Sequence, residues 1–195
     1  MSVSGDVEPI DDADAIGAVI NDAALAYRGV IPADRWHEPY MPHDELVSEM
    51  RAGVKFFCLR RNGRVAGVMG LQHVADVALI RHAYTLSSEQ GRGLGTLLLE
   101  HLRRQTHRPV LVGTWKAATW AVRFYERRGF RLVGEEEKAA LLRRYWTVSE
   151  RQIEESVVLK EYRGLTPFSL FQCSARSEPQ PYTLSLIPYC LSAYQ

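Results

Sequence analysis

Three glycines, a glutamine and an arginine are concentrated between Gln90 and Gly95. The segment follows an apolar run that ends near Leu86 and precedes an amphipathic run that begins at Leu94, which is the order of a strand, a turn and a helix. Glycine lets backbone N–H groups approach a ligand closely, and the first helical turn adds unpaired N–H donors at the positive end of the helix dipole. The segment is therefore predicted to bind an anion.

Residue types that this loop lacks disfavour two common phosphate sites. A P-loop needs a lysine directly after its last glycine, but Thr96 and Leu97 follow Gly95. A dinucleotide fingerprint that starts at Gly91 needs a third glycine where Thr96 stands. Nucleotide hydrolysis and a Rossmann-type site are therefore both disfavoured.

A second motif, Phe124-Tyr125 followed by Gly129-Phe130, lies further along the chain at the end of a predicted helix. Together with the Q-x-x-G-x-G loop that starts at Gln90, it resembles the two signatures of the GCN5-related N-acetyltransferases, the GNAT family, over roughly residues 7–160. The resemblance implies an acyltransferase that moves an acetyl group from acetyl-CoA, its cosubstrate, to a primary amine by direct attack. It implies no metal.

The resemblance also assigns roles to individual residues. The tyrosine that matches Tyr125 donates a proton to the departing thiolate, which suits a phenol that is protonated at neutral pH; packing beside Phe124 is its alternative role. Backbone amides of Ala83, Tyr84 and Thr85 are expected to polarise the thioester carbonyl. The residues expected around the pyrophosphate of coenzyme A are Gln90, Gly91, Arg92, Gly93, Leu94, Gly95 and Thr96.

His82 is the best candidate for the general base that takes the proton of the amine. It lies on the strand that leads to the glycine loop, on one face with Tyr84, and an imidazole titrates near neutral pH. A structural role is the alternative for His82, and Glu89 and Asp76 are further candidates for the base. Histone-type members of the family use a glutamate at the position of Leu79.

Ala118 departs from the family pattern, in which many members carry an asparagine that contacts the cofactor. Thr119 and Trp115 are candidate replacements for that contact. The missing asparagine, together with Leu79, leaves open a second class of function: a non-catalytic protein that binds coenzyme A through the GNAT fold.

The segment between the first two predicted helices is rich in aromatic side chains and contains an arginine, and in the GNAT fold this loop lines the acceptor pocket. Tyr27, Arg28 and Trp36 are the predicted substrate-binding residues. Such a wall favours a small-molecule amine with flat or anionic character, while covering the core is the alternative role of Trp36. A protein or peptide N-acetyltransferase is the alternative function.

The elements that hold these residues alternate between helices and strands. This predicts an α/β (α+β) fold, which the resemblance specifies as a mixed, mostly antiparallel twisted sheet of about seven strands with helices on both faces. Asp11 and Asp12 are predicted caps of a first helix whose apolar face runs to Tyr27, and Asn62-Gly63 predicts a hairpin. The predicted strands are 55–60, 65–71, 77–86, 110–113, 130–133 and 156–160; the further predicted helices are 44–51, one from Leu94, 117–128, and a short helix or loop at 139–145.

Composition predicts one domain, residues 1–160, followed by a poorly ordered C-terminal extension, residues 161–195, that four prolines interrupt. Docking of this extension on a partner subunit is the alternative, which leaves a homodimer open. A net charge of +1 with interspersed signs argues against a nucleic-acid partner, and three cysteines without metal spacing support neither a disulfide framework nor a zinc site. No run approaches a membrane span and the acidic N-terminus does not resemble a signal peptide, so a cytoplasmic location is expected.

Overall fold

The computed structural model describes residues 6–162 of the 195-residue chain. The strands within this range are β1 (Glu8–Ile10), β2 (Lys55–Arg61), β3 (Arg64–Val74), β4 (Val77–Thr85), β5 (Val110–Trp115), β6 (Phe130–Leu132) and β7 (Ser156–Glu161). These seven strands form one sheet in the order β1-β2-β3-β4-β5-β7-β6. Within the described residues, every neighbouring pair is antiparallel except β4 and β5, so the predicted mixed, mostly antiparallel sheet is confirmed.

The helices of the described residues are α1 (Ala13–Ala24), α2 (His43–Arg51), α3 (Leu94–Arg104), α4 (Thr119–Glu126), α5 (Glu135–Tyr145) and α6 (Glu150–Glu155). The side chain of Asp12 accepts a hydrogen bond from the Ala15 N–H at 3.0 Å and caps α1, as predicted. That helix ends at Ala24, and a 3₁₀ turn carries the chain on through Tyr27. The prediction of one continuous helical face as far as Tyr27 was therefore too long by about one turn.

Buried apolar side chains form two clusters, one on each face of the sheet. One face is covered by α1, α2, α5 and α6, which contribute residues such as Ile20, Leu46 and Leu142. The other is covered by α3, whose leucines recur at helical spacing and form the stripe Leu94, Leu98, Leu99 and Leu102. The predicted arrangement of helices on both faces is confirmed.

The hairpin that joins β2 and β3 turns at Asn62 and Gly63, which adopt φ values of +50° and +76°. Two consecutive positive φ values are what a two-residue turn between right-twisted strands requires, and they explain the Asn-Gly pair in the sequence. β3 then pairs with β4 through a second tight turn. These two central strands carry the residues that reach the site.

β4 and β5 are hydrogen-bonded neighbours over a short stretch only, where Ala78, Leu79 and Ile80 face Val110, Leu111 and Val112. Beyond Ile80 the two strands have no further pairing, although β4 continues to Thr85 and β5 to Trp115. The sheet therefore opens between two of its central strands.

Four further elements differ from the sequence expectation. β1 and α6 were not predicted, because each is short and lacks a strong apolar period. Ser149 caps α6 through reciprocal hydrogen bonds with Gln152. α5 is a full helix that begins at Glu135, where the sequence left a short helix or loop open. β7 continues to Glu161, one residue past the predicted domain boundary, and most of the predicted extension lies outside the described residues.

No helix in the described part of the chain combines the length and the apolar composition needed to cross a membrane.

Candidate active site

A cavity of about 520 Å³ occupies the opening between β4 and β5. The end of β4 lines one side of it, Val112, Gly113 and Thr114 of β5 line the other, and α4 and the segment after α1 contribute the remaining walls. The predicted site residues that line the cavity are Tyr27, His82, Ala83, Tyr84, Thr85, Gln90, Gly91, Gly95 and Tyr125. Residues from four separate stretches of sequence thus meet in one place.

The other predicted site residues are not among those that line the cavity. Two of the predicted pyrophosphate residues have a structural role: Leu94 is buried in the core, and Gly93 precedes α3 with a φ of +83°. Arg92 is exposed and forms an ion pair with Glu89 at 3.6 Å. The predicted substrate residues Arg28 and Trp36 lie behind the cavity wall, where Arg28 faces Glu38 at 3.9 Å and Trp36 stacks on Tyr40 at a centroid distance of 5.6 Å.

Arg128 joins the two sequence motifs to each other. Its Nε donates to Oγ1 of Thr96 at 3.0 Å, one terminal nitrogen donates to the Phe124 carbonyl at 2.7 Å, and the guanidinium lies 3.8 Å from the centre of the Phe124 ring. A Cβ on Gly95 would lie 3.3 Å from the same ring, so a larger residue where α3 and α4 approach each other would require the ring to shift. Sequence reasoning missed Arg128 because an arginine in a charged helix end normally faces water.

β4 contains a bulge at the level of the cavity. Arg81 pairs with Gly70 and Tyr84 pairs with Val68, so His82 and Ala83 together oppose a single residue of β3. His82 adopts a φ of +46°, which is rare for a residue with a side chain. The bulge turns the strand just before Ala83, Tyr84 and Thr85, the segment whose backbone amides were expected to polarise a carbonyl.

His82 is only 2% exposed and lines the cavity. Its Nε2 is hydrogen-bonded to Oε2 of Glu49, a fully buried carboxylate on α2, and its ring stacks on Phe56 at 5.7 Å. A terminal nitrogen of Arg81 lies 3.2 Å from the same Glu49 oxygen. Sequence reasoning missed Glu49, because a glutamate in a polar helix is normally solvated.

Tyr125 lines the cavity from α4, and its ring packs edge-on between two aromatic rings, with centroid distances of 5.0 Å to Phe124 and 5.5 Å to Phe130. The side chain is 4% exposed. The motif thus places the phenol at the cavity and uses its own phenylalanines to fix the ring.

The residues considered as replacements or alternative bases lie elsewhere. Trp115 is buried in the core and its indole N–H donates to the Tyr40 hydroxyl at 3.4 Å, while Thr119 is exposed. Neither lines the cavity, and neither do Glu89 and Asp76. Ala118 and Leu79 are fully buried in the apolar core, where a polar asparagine or glutamate side chain would lack solvation.

An aromatic wall closes the cavity on the side of α1. The Tyr27 ring lies 5.6 Å from Trp120 and 6.3 Å, edge-on, from Tyr84. Trp120 remains 45% exposed, which places it at the mouth. Within the described residues, no aspartate, glutamate, lysine or arginine lines the cavity, so its walls carry no fixed formal charge apart from what His82 takes up.

The open sheet, the bulged central strand and the glycine turn at the start of α3 define an acetyltransferase architecture. The chain belongs to the acetyltransferase (GNAT) domain family, since the profile of that family matches residues 20–144. No curated protein sequence matches the chain significantly.

Solved structures share the fold at low sequence identity. An acetyltransferase of the GNAT family from Staphylococcus aureus Mu50 has a TM-score of 0.61 and 13% identity, covering 81% of this chain and 98% of that one. The PaiA N-acetyltransferase from Thermoplasma acidophilum, solved with coenzyme A, has a TM-score of 0.57 and 14% identity, with 82% and 99% covered. The ribosomal-protein-S18-alanine N-acetyltransferase from Escherichia coli has a TM-score of 0.56 and 17% identity, with 87% and 100% covered.

Proposed function

We propose that this protein transfers the acetyl group of acetyl-CoA to the primary amine of a small molecule by direct attack. The observation that carries the proposal is the cavity between β4 and β5, which brings the glycine loop, the bulged end of β4 and Tyr125 to one place. Family membership supports the reaction class, and a fold neighbour solved with coenzyme A supports the donor.

The residues present suit a coenzyme A pyrophosphate. Gly91 adopts a φ of +75°, and a Cβ built there meets nothing within 4 Å, so the loop surface is open to a ligand. Gly91 and Gly95 line the cavity beside the N-terminal turn of α3, whose N–H groups favour an anion. The thioester, when bound, supplies the activated acetyl group. Gln90, Gly91 and Gly95 are the residues proposed to hold its phosphates.

Three groups of this chain are proposed to act on the reacting atoms. His82 takes a proton from the incoming amine as the amine nitrogen forms a bond to the acetyl carbon. Backbone N–H groups at Ala83–Thr85 stabilise the negative charge that develops on the carbonyl oxygen. The C–S bond breaks, and Tyr125 gives its proton to the sulfur so that coenzyme A leaves as a thiol.

The wall of Tyr27, Tyr84 and Trp120 is proposed to select an amine attached to a flat or apolar group. Aromatic faces bind rings and single cations well, but a polycationic amine needs carboxylates that this cavity does not supply within the described residues. The anionic acceptor that the sequence left open loses support, because Arg28 is not part of the lining. A fold neighbour that acetylates a ribosomal protein makes peptides the alternative to test.

Turnover is measured as the release of free coenzyme A thiol from acetyl-CoA in the presence of an amine panel. Arylalkylamines, amino acids, aminoglycosides, polyamines and short peptides form the panel, and isothermal calorimetry reports acetyl-CoA binding separately. We expect binding of acetyl-CoA and preferential turnover of arylalkylamines. Turnover of peptides alone contradicts the small-molecule proposal, and binding without thiol release from any acceptor supports a non-catalytic protein.

A further inference from the structure

We propose that Glu49 is a positioning residue that orients His82 for proton transfer, and that Arg81 sets the strength of its effect. The inference rests on the proposed function in taking His82 as the base. It assigns a role to three buried side chains that lie in contact, Glu49 from α2 and Arg81 and His82 from β4. Of these three, His82 lines the cavity.

The contacts between these side chains form a chain. Oε2 of Glu49 bonds to Nε2 of His82 and lies 3.2 Å from a terminal nitrogen of Arg81. The other terminal nitrogen of Arg81 donates to the Gln72 side chain at 2.9 Å, and the amide nitrogen of Gln72 donates to the carbonyl of Ala52 at 3.2 Å. Arg81 therefore contacts the carboxylate that bonds to the imidazole, and Gln72 in turn holds Arg81 in place.

Stability alone does not account for this cluster. Glu49, Arg81 and His82 are 0%, 4% and 2% exposed, and removing such charges from water costs several kcal/mol per ion before any attraction is counted. Oε1 of Glu49 and Nε of Arg81 are buried without a hydrogen-bond partner among the described residues. His82 also carries a positive φ, and strained residues of this kind are concentrated at functional sites.

With Glu49 ionised, its hydrogen bond to His82 selects the imidazole nitrogen that takes up the proton. An ionised carboxylate only accepts hydrogen bonds, so Nε2 of His82 carries a hydrogen toward Glu49. A proton from the amine must then reach Nδ1, directly or through a water molecule, and the resulting imidazolium lies against the negative charge of Glu49. The proton returns to solvent after the acetyl amide has formed.

Glu49 and Arg81 are expected to affect the protonation of His82 in opposite directions. Glu49 from α2 bonds to His82, Arg81 from β4 contacts the same carboxylate, and the titratable side chains that line the cavity with His82 are those of Tyr27, Tyr84 and Tyr125. Removing the negative charge disfavours the imidazolium, whereas removing the positive charge favours it.

The test compares Glu49→Gln, Arg81→Gln and Glu49→Asp with wild type, and Glu154→Gln is the matched control because Glu154 is an exposed carboxylate on α6. In kcat/KM against pH, we expect the acid limb to move down by about one pH unit in Glu49→Gln and up by a similar amount in Arg81→Gln. Glu49→Gln also loses about tenfold or more of its plateau activity, and Glu49→Asp recovers part of it. The control follows the wild-type profile.

A second measurement does not depend on turnover. Proteins labelled with ¹⁵N-histidine report the tautomer and the titration midpoint of His82, whose signals are assigned with His82→Asn. We expect the Nε2–H tautomer in wild type and midpoints that move in opposite directions in the two charge variants. Midpoints that do not move, or that move together, overturn the inference. If the two charge variants show these shifts but the wild-type protein acetylates no amine, only the proposed function is contradicted.

Discussion

At the scale of single residues, the proposed acid, Tyr125, and the proposed base, His82, approach the cavity from opposite sides of the sheet. Tyr125 packs with the core under α3, whereas His82 stacks on Phe56 in the core under α1 and α2. Both reach one cavity because β4 and β5 separate beyond Ile80. In the proposed reaction, the incoming amine would thus meet His82 from one face of the sheet, and the sulfur of the thioester would meet Tyr125 from the other.

Tyr125→Phe is expected to lower kcat about a hundredfold while the KM for acetyl-CoA stays nearly unchanged. The phenyl ring keeps the edge-on contacts with Phe124 and Phe130, so the loss isolates the hydroxyl. Steady-state kinetics with the best acceptor of the panel measures it. Tyr162→Phe is the control, since Tyr162 is 54% exposed and stacks under Arg131.

An equal loss in both tyrosine variants, or a change in KM without a change in kcat, contradicts the acid role. In that case Tyr125 would act through packing, which was its alternative role from the sequence.

At the scale of elements, β3 and β4 hold the site through close backbone contact. A Cβ on Gly70 would lie 2.7 Å from the Val54 side chain and 3.1 Å from the Arg81 carbonyl, so only glycine fits opposite the bulge. The far end of the same hairpin is tied to α5, because the Tyr145 hydroxyl donates to Asp76 at 2.7 Å. The hairpin is thus anchored at the turn and bulged at the site.

This tie predicts a pH-dependent stability difference between wild type and Tyr145→Phe. The hydrogen bond from Tyr145 lowers the pKa of Asp76, while burial and that bond raise the pKa of Tyr145 to about 12. The Asp76 contribution is present above the ordinary value of about 3.9 and is lost as pH falls; the Tyr145 contribution is complete below about 10 and is lost as pH rises through about 12.

In urea unfolding, the free energies of unfolding of the two proteins are expected to differ by about 1 kcal/mol from pH 5 to pH 9. This gap is small because Asp76 is largely exposed and solvent screens the bond. The gap narrows below about pH 4 and above about pH 10. A gap that persists at pH 3 contradicts this assignment. Tyr162→Phe, which lacks the carboxylate partner, supplies the baseline.

At the scale of the whole molecule, the last described residues contact the rest of the domain. Glu161 bonds to Nε of Arg103, and the Tyr162 N–H donates to the Gly129 carbonyl at 3.0 Å. Contacts within the described residues therefore extend two residues past the predicted domain boundary at residue 160. Residues 163–195 lie outside the described range, and their role as an appendage stays a prediction.

A chain that ends after Tyr162 is expected to melt within about 2 °C of the full chain and to keep its activity, because the core is complete without the later residues. Differential scanning calorimetry and light scattering test this. A lower melting temperature together with a smaller oligomer would instead support docking of the extension on a partner subunit. A chain that ends after Lys160 is the comparison and is expected to be less stable, since it loses Glu161.

The sequence by itself determined the family, the order of the main elements and the positions of the two motifs. These follow from local rules: glycines at turns, apolar periods along helices and strands, and a helix end marked by Gly129. The glycine loop and His82 were found from such local patterns and Tyr125 from the resemblance of its motif to a family signature, and all three line one cavity in the structure.

Only the tertiary structure decided which of the predicted residues face that cavity and what lies behind them. Arg28 and Trp36, predicted to bind the substrate, and Arg92, predicted to lie near the pyrophosphate, are not among the residues that line that cavity. Glu49 and Arg128 could not be identified from the sequence, because charged side chains become buried through long-range contacts and not through local patterns. The register between β3 and β4 across their hairpin places the bulge at His82, and no local rule in the sequence specifies that register.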